Sequence, residues 1–330
     1  MPSFTIGKPP PILDFSAFYA DDSHGKAKLV EQVRDCCLHN GFFQVTGHGL
    51  PLDLQKRALS CGRRFFLLPM QEKLKLDKKQ NKYGRGYEAV RSYQAELGTD
   101  PDLKEDFSIG REIPKDHPSC LQGKLGCGPN LWPENIDNRE EFQKTTMEYF
   151  NSVYRLAEDI VTVLSLSLGL DANHLDGLKN EPRVGVMKYQ YYPQLPEGAD
   201  LEVTRGFGAH TDFCPLAIIL QDGIPGLQVL DEPTGEWVTI EPVPGAFVVN
   251  LGESFTELTN GQYKSSIHRV INNPDSDRLS VPFFFNGDPD YLLAPLPICQ
   301  GSGDEAKTPP RTIQQLVLSR VQERYARVQK

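Results

Sequence analysis

The spacing of apolar residues changes about halfway along the chain from a helical to a strand-like pattern. In the first half, apolar residues recur every three or four positions, which is typical of amphipathic helices. This spacing predicts helices over residues 27–39, from Leu54 to Phe65 and over residues 140–168. Two short apolar runs, 12–15 and 42–45, predict strands in the same half. The first half is therefore expected to be mainly helical.

The second half is dominated by short runs of β-branched and aromatic residues separated by turns. The runs cover residues 184–192, 215–221, 227–230, 237–240, 246–251, 265–271 and 279–285. Strands this short and regular predict a closed or sandwiched antiparallel sheet. Helical spacing returns over residues 312–327 and predicts a C-terminal helix. Residues 81–133 are rich in Gly, Pro and charge and are expected to form an ordered but irregular covering.

Composition and charge narrow the class of protein. The 330 residues are 39% apolar and 24% charged, as in soluble globular proteins. Acidic residues outnumber Lys and Arg by 44 to 35, and the formal charge of -9 argues against nucleic acid as a partner. No apolar run approaches the roughly 20 residues that span a membrane, and no secretory pattern is recognisable at the start. Because the seven cysteines also look like reduced thiols, we expect a cytoplasmic protein without a membrane partner.

Two histidines and one aspartate form a candidate metal site. His210 and Asp212 are two residues apart in a strand-like segment, so both side chains point to one face. His268 lies in another strand-like run and offers a third ligand. Two His and one carboxylate are the set that holds non-haem Fe(II) with open coordination positions. Zinc accepts a similar set, so a zinc-dependent hydrolase is an alternative.

A candidate anion site follows ten residues after His268. Arg278 and Ser280 are again two apart on a predicted strand and project together. A guanidinium binds a carboxylate through two parallel hydrogen bonds, and a hydroxyl can donate another. 2-Oxoglutarate has a keto acid that chelates iron and a distal carboxylate that needs a cation. One co-substrate therefore accounts for both candidate sites.

Several further segments match one known enzyme family. They are residues 41–49 (GFFQVTGHG), 65–69 (FFLLP), 85–87 (RGY), 104–107 (KEDF), 131–133 (LWP), 191–193 (YYP), 210–212 (HTD), 259–261 (TNG) and 268–270 (HRV). On these residues the chain resembles, over nearly its whole length, the 2-oxoglutarate- and Fe(II)-dependent dioxygenases of the isopenicillin N synthase-like family. The segment 110–112 and the loop to Trp132 resemble fungal members.

The resemblance implies an all-β core with flanking helices: a double-stranded β-helix, or jelly-roll barrel, with a helical N-terminal region and a C-terminal helix. One integrated domain is expected to have three parts. Residues 1–182 would form the helical and irregular region packed on the barrel. Residues 183–295 would form the main double-stranded β-helix with the iron site, and residues 296–330 the C-terminal helical tail.

The family also implies roles for individual residues. The two histidines and the aspartate match its iron ligands, and Arg278 and Ser280 match its grip on the distal carboxylate. Tyr192 matches a further hydrogen-bonding position for 2-oxoglutarate. Three positions depart from the common pattern: Gln190 replaces Asn, Glu253 replaces Asp and Cys214 replaces Gly. None of these departures affects the metal ligands, although Gln190 bears on the details of co-substrate contact.

Strand parity predicts which side chains meet the substrate. If the strand has no bulge, the residues sharing one face are Arg278, Ser280, Pro282, Phe284 and Asn286. Because the first two must point into the barrel, Phe284 and Asn286 should continue inward toward the substrate, where the family also places contacts. We expect an apolar or aromatic small molecule with at least one polar group.

The sequence predicts an oxygenase that uses Fe(II), 2-oxoglutarate and dioxygen to hydroxylate, desaturate or rearrange a small organic molecule, as in secondary metabolism. No obligate protein partner is evident. One alternative is an oxidase of the same fold that uses dioxygen without 2-oxoglutarate. Another is a non-catalytic binding module on the same barrel.

Overall fold

The structure is a computed structural model that describes residues 5–301 and 306–328, with side chains described up to Arg324 in the last helix. Its α-helices are α1 (Ser16–Tyr19), α2 (Ser23–His39), α3 (Leu52–Phe66), α4 (Met70–Leu74), α5 (Pro118–Leu121), α6 (Arg139–Ser167), α7 (Glu253–Leu258) and α8 (Ile313–Val328). Short 3₁₀ turns lie at Lys78–Gln80, Asp176–Lys179 and Pro297–Cys299. None of the helices in the described ranges is both long and apolar enough to cross a membrane.

The strands form two main sheets. The strands are β1 (Ile12–Asp14), β2 (Phe42–Thr46), β3 (Gly86–Glu88), β4 (Glu105–Gly110), β5 (Val184–Tyr192), β6 (Phe207–His210), β7 (Leu216–Gln221), β8 (Leu227–Asp231), β9 (Glu236–Thr239), β10 (Phe247–Leu251), β11 (His268–Val270), β12 (Arg278–Gly287), β13 (Leu292–Leu293) and β14 (Arg311–Thr312). The larger sheet has the order β1-β2-β10-β7-β12-β5-β4-β3, and the smaller has the order β6-β11-β8-β9. A two-stranded ribbon joins β13 to β14.

The two sheets pack face to face around one apolar layer. That layer contains Ile219 and Val248 from the larger sheet and Leu227, Val229 and Val270 from the smaller one. All but one of the pairings in the two main sheets are antiparallel, the exception being β1 with β2. This arrangement confirms the predicted all-β jelly-roll core with flanking helices.

The long helix α6 covers the outer face of the larger sheet. Phe283 and Phe285 of β12 are fully buried on this side. The Phe283 ring lies edge-on to Phe150, with centroids 5.2 Å apart, and to Tyr154, at 5.9 Å. Phe283 and Phe285 therefore pack against the helix. Phe284, which lies between them, points to the opposite face of the sheet.

Removing the Phe283 ring should destabilise the fold. We expect Phe283→Ala to lower the free energy of unfolding by about 3–5 kcal/mol, because it leaves a cavity between sheet and helix. Denaturant unfolding followed by circular dichroism measures this loss. The neighbouring Phe284→Ala removes a ring that is only partly buried and should lower the free energy of unfolding by less. If Phe283→Ala lowered it by the same amount or less, the packing of Phe283 against α6 would be contradicted.

The predicted helix boundaries hold to within a few residues, with clear causes for the differences. The helix predicted over 27–39 begins at Ser23, because the side chain of Asp22 accepts a hydrogen bond from the Gly25 amide at 3.0 Å. It ends before Gly41, which has φ +72°. A Cβ there would lie 2.0 Å from the Lys264 carbonyl oxygen, so only glycine fits this turn.

The expectation of an irregular covering over residues 81–133 is wrong for two strands. β3 and β4 lie within it, are buried along their length, and extend the larger sheet beyond β5. The sequence did not predict β4, because residues 105 and 106 carry carboxylates, which are unusual in a buried strand. In the structure Glu105 accepts a hydrogen bond from Lys73 at 2.7 Å and Asp106 from Lys104 at 2.9 Å. Paired charges can be buried in a strand where unpaired ones would be costly.

One predicted strand is much shorter than expected. The run 265–271 forms a strand only over His268–Val270. Its first residues lie outside the ladder, although the carbonyl of Ile267 still accepts a hydrogen bond from the Leu230 amide at 2.8 Å. The strand therefore begins at the histidine that faces the site described next.

Candidate active site

His210, Asp212 and His268 come together where the end of β6 pairs with the start of β11. His210 ends β6 and pairs directly with His268 at the start of β11. The His210 Nε2 atom lies 3.8 Å from Asp212 Oδ1, and His268 Nε2 lies 3.7 Å from Asp212 Oδ2. One ligand atom from each residue lies within 4.8 Å of the others, and all three are buried. Ligand atoms this close can share one metal ion.

Backbone carbonyls orient both imidazole rings. His210 Nδ1 donates to the Gly208 carbonyl at 2.7 Å, and His268 Nδ1 donates to the Ser266 carbonyl at 3.2 Å. These bonds leave both Nε2 atoms unprotonated in the neutral ring and turned toward Asp212. Burial, and next the neighbouring His268, lower the pKa of His210 well below its ordinary value. Neutral imidazoles with free Nε2 lone pairs suit Fe(II) or Zn(II).

The aspartate is positioned from the larger sheet. Asn250 on β10 is fully buried, and its Nδ2 donates to Asp212 Oδ2 at 2.8 Å. The Phe207 ring stacks on His210 with centroids 4.0 Å apart. Neither residue was a sequence candidate, since an Asn in an apolar strand and a Phe beside a His carry no distinctive spacing. Contacts of this kind fix ligand rotamers before a metal binds.

Arg278 is a buried cation with one edge unpaired. Its Nε donates to the Ile224 carbonyl at 3.1 Å and its Nη2 to Gln221 Oε1 at 2.9 Å. Its Nη1 has no hydrogen-bond partner among the described residues. Burial lowers the pKa of Arg278 below its ordinary value. A desolvated guanidinium with a free edge fits a ligand carboxylate.

Polar side chains of β5 and β12 surround the same space. Register places Arg278 opposite Tyr192, and Ser280 opposite both Gln190 and Gln221. The Tyr192 hydroxyl donates to Gln190 Oε1 at 3.0 Å, while the Nε2 of Gln190 has no partner within the described part of the chain. A second unpaired donor therefore faces this space, and Gln190 fills the family's Asn position with the same amide chemistry.

A narrow cavity joins these groups to the histidines. Its wall includes His210, Asp212, His268, Arg278, Ser280, Tyr192, Gln190 and Phe284. It shares four lining residues, Gln190, Phe207, Asp212 and Phe284, with a larger cavity of about 860 Å³ that is also lined by Asn286. The parity expected for β12 is therefore observed from Arg278 to Phe284, and Asn286 lines the large cavity although the pairing is irregular between Phe285 and Gly287. The arrangement fits an iron-bound 2-oxoglutarate with its distal carboxylate at Arg278.

Two of the family departures have local roles in the structure. The Cys214 thiol donates to the Leu216 carbonyl at 3.2 Å, and burial raises the pKa of this thiol well above its ordinary value. Glu253 accepts hydrogen bonds from Thr211 at 2.7 Å and from Arg320 at 2.8 Å. The carboxylate of Glu253 thus links Thr211, which lies between His210 and Asp212, to α8.

The C-terminal helix reaches the same segment, which its spacing did not predict. Arg324 donates to the Thr211 carbonyl at 2.6 Å. Its guanidinium carbon lies 3.9 Å from the centroid of the Phe213 ring. The side chain also donates to the Tyr93 hydroxyl at 3.2 Å, so α8 forms part of the cavity wall.

A jelly-roll that places two histidines and one carboxylate beside a buried guanidinium defines a non-haem Fe(II) oxygenase of the 2-oxoglutarate-dependent class. Comparison with known proteins agrees. Residues 184–287 match the family described as the 2OG-Fe(II) oxygenase superfamily, and residues 10–135 match the N-terminal region of a non-haem dioxygenase in morphine synthesis. The chain belongs to the 2OG-Fe(II) oxygenase superfamily, and Fe(II) and 2-oxoglutarate are its cofactors.

Fungal proteins are among its relatives. A 2-oxoglutarate-Fe(II) type oxidoreductase of Emericella nidulans is 47% identical over 320 residues, covering 97% of this chain and 91% of the relative. Clavatol oxidase of Penicillium crustosum is 36% identical over 337 residues, covering 98% of both chains. The crystal structure of a full-length Neurospora crassa protein in complex with α-ketoglutarate superposes with a TM-score of 0.83 at 24% identity, covering 96% of this chain and 97% of that one. The last comparison supports the fold.

Proposed function

We propose that His210, Asp212 and His268 bind the Fe(II) of this oxygenase. The same proposal assigns the distal carboxylate of 2-oxoglutarate to Arg278 and Ser280, with Tyr192 as a further hydrogen-bonding group. The observation that carries it is the unpaired Nη1 of the buried Arg278, which lines one narrow cavity together with the two histidines and the aspartate of the described chain. A buried donor without an acceptor is costly unless a ligand supplies one.

With both cofactors bound, the chemistry is the oxidative decarboxylation of 2-oxoglutarate to succinate and carbon dioxide, coupled to oxidation of an organic substrate by dioxygen. The protein's own part is positional. Asn250 holds Asp212 in place, Arg278 fixes one end of the co-substrate, and Phe207 covers one face of His210. Burial of Asn250, Asp212, His210 and Arg278 keeps bulk water away from the site.

The substrate is proposed to be a small organic molecule that contacts Phe284 and Asn286. Phe284 lines both the narrow and the large cavity, and Asn286 lines the large one. Kinship with enzymes such as clavatol oxidase supports oxidation of a metabolite in fungal secondary metabolism. Hydroxylation, desaturation and ring rearrangement all begin with oxidation of a bound molecule at the same site. The proposal therefore covers all three outcomes.

The proposal also assigns the enzyme to the cytoplasm, acting without an obligate protein partner on a molecule other than nucleic acid. All seven cysteines, each within the described ranges, are buried free thiols. Free thiols suit a reducing compartment. The formal charge of -9 opposes binding to a phosphate backbone.

A metabolite screen tests the function. Purified enzyme with Fe(II), 2-oxoglutarate and dioxygen is incubated with candidate metabolites, and succinate is quantified. We expect at least one small metabolite to stimulate succinate release together with its own oxidation. Oxidation of the metabolite without succinate would favour the oxidase alternative, and hydrolysis supported by Zn(II) but not by Fe(II) would favour a hydrolase.

Asn250→Ala should weaken metal binding without removing a ligand. Because Asn250 donates to Asp212 Oδ2, its loss frees the carboxylate to rotate. Outer-shell changes of this kind typically lower metal affinity by about 10- to 100-fold. Anaerobic Fe(II) titration measures the change, and an affinity equal to that of the wild type would remove Asn250 from this role.

Phe284→Ala should weaken binding of the organic substrate more than binding of the cofactors. We expect a KM for the organic substrate raised at least about tenfold, because a buried aromatic contact is lost. The affinities for Fe(II) and 2-oxoglutarate should change by less than about twofold. Steady-state kinetics with the metabolite found in the screen measure the first value, and unaltered substrate kinetics would contradict the assignment.

A further inference from the structure

The large cavity beside the candidate iron site is basic, although the protein as a whole is acidic. Eight of its lining residues are Lys or Arg and three are Asp or Glu, whereas the whole chain has a formal charge of -9. One of the three acids is Asp212, which the proposed function assigns to the metal. A cavity whose lining carries more cations than anions favours anionic ligands.

The positive charge is concentrated where β4 meets β5. Lys104 Nζ lies 2.9 Å from Asp106 Oδ2, and Lys188 Nζ lies 3.1 Å from the same oxygen. Two ammonium groups therefore share one carboxylate, which is fully buried. Lys104 is nearly as buried, whereas the side chain of Lys188 keeps 19% of its surface accessible, and both lysines line the cavity.

The neighbouring acids have closer partners than Lys188. Glu88 on β3 faces Lys78, whose Nζ lies 3.6 Å away, so these two charges offset each other. Asp102 is bound to backbone, since one of its oxygens accepts a hydrogen bond from the Gly208 amide at 3.0 Å. Burial raises the pKa of Asp102 to about 6, so this carboxyl is still mainly ionised at neutral pH. Among the described residues, Asp106 is the one carboxylate within 4.0 Å of the Lys188 ammonium, and it is shared with Lys104.

Lys188 is well placed to hold a substrate near the metal site. It lies on β5 opposite Ser108 of β4, two residues from Gln190 on the same face. Gln190 and Phe284 line both this cavity and the narrow one that contains the histidines, so Lys188 lies in the cavity adjacent to the metal site. The Lys188 ammonium has three N–H donors. Among the described residues it forms one hydrogen bond, to Asp106.

We propose that the organic substrate is an anion whose carboxylate binds Lys188 while its apolar part lies along Phe284 toward the metal. This inference rests on the proposed function and narrows its substrate class. Lys104 keeps Asp106 paired, and the bound carboxylate neutralises the second ammonium. Substrate charge then favours binding, because a neutral analogue leaves Lys104 and Lys188 to share the single carboxylate of Asp106.

Matched acids and amides test the inference. The anaerobic Fe(II)–2-oxoglutarate enzyme is titrated with benzoate and benzamide, and with 3-phenylpropanoate and its amide, while the visible absorption of the complex is followed. At least one acid should bind about tenfold or more tightly than its amide, as expected for a charge-assisted hydrogen bond. Equal binding of both members, preference for the amides, or no binding by either acid overturns the proposal.

Variants assign the preference to Lys188. Lys188→Met should reduce the acid-over-amide preference to less than about twofold, and Lys188→Arg should retain part of it. Asp106 still pairs with Lys104 in both variants, and Lys188→Gln is a second neutral variant if the methionine protein does not fold. The control Lys144→Met removes an exposed lysine of α6 and should keep the full preference. An undiminished preference in the neutral Lys188 variants contradicts the inference.

The same samples separate this inference from the proposed function. Failure of the wild-type enzyme to form the absorbing Fe(II)–2-oxoglutarate complex contradicts the metal and co-substrate assignments. Formation of that complex without any preference for acids contradicts only the role of Lys188.

Discussion

Asp212→Ala should abolish Fe(II)-dependent turnover. The substitution removes the carboxylate that lies within 3.8 Å of both Nε2 atoms and leaves only the two imidazoles. We expect a loss of Fe(II) affinity larger than the roughly 10- to 100-fold typical of outer-shell changes. Anaerobic Fe(II) titration and succinate release measure the two effects.

The histidines should behave in the same way. His210→Ala and His268→Ala each remove one imidazole ligand, and each should abolish turnover. The control Asp116→Ala removes an exposed carboxylate far along the chain from the site and should leave both measurements unchanged. Full Fe(II) affinity and turnover in all three site variants would refute the ligand assignment.

Arg278→Ala should raise the 2-oxoglutarate concentration needed for half-maximal turnover by at least about tenfold. Loss of one partner from a buried charge pair typically costs about 2–5 kcal/mol, and 1.4 kcal/mol corresponds to a factor of ten. Arg278→Lys should be intermediate, since it keeps the charge but loses the planar pair of donors. Arg155→Ala, at an exposed position on α6, is the matched control.

This prediction also separates the two oxygen-using alternatives. An oxidase that does not use 2-oxoglutarate would show no dependence on its concentration in either the wild type or the variant. An unchanged 2-oxoglutarate requirement with intact activity would remove Arg278 from the site.

Strand parity explains why much of the site was predictable. Alternate residues of an unbulged strand face one side, so an inward Arg278 also places Phe284 inward and Phe283 outward. The irregularity in the pairing of β12 with β5 comes only after Phe285. Phe284, which lines both cavities, precedes it, and the parity count therefore remains valid there.

Groups held by tertiary pairing were not predictable. Charge patterning marks the segment around Lys104 and Asp106 as solvated, because only the fold brings Lys188 to the same carboxylate. Lys188 itself left one signal, as the single charge inside the apolar and aromatic run 184–192. Asn250 left none, since its partner Asp212 lies 38 residues away in sequence.

The central claim is tested most directly by one experiment with wild-type enzyme. Under anaerobic conditions Fe(II) and 2-oxoglutarate are added in turn, the visible absorption of their complex is recorded, and dioxygen is then admitted while succinate is quantified. We expect a complex that requires both additions, followed by succinate formation on exposure to dioxygen. Absence of that complex, or absence of succinate once dioxygen and an oxidisable metabolite are present, would contradict the account.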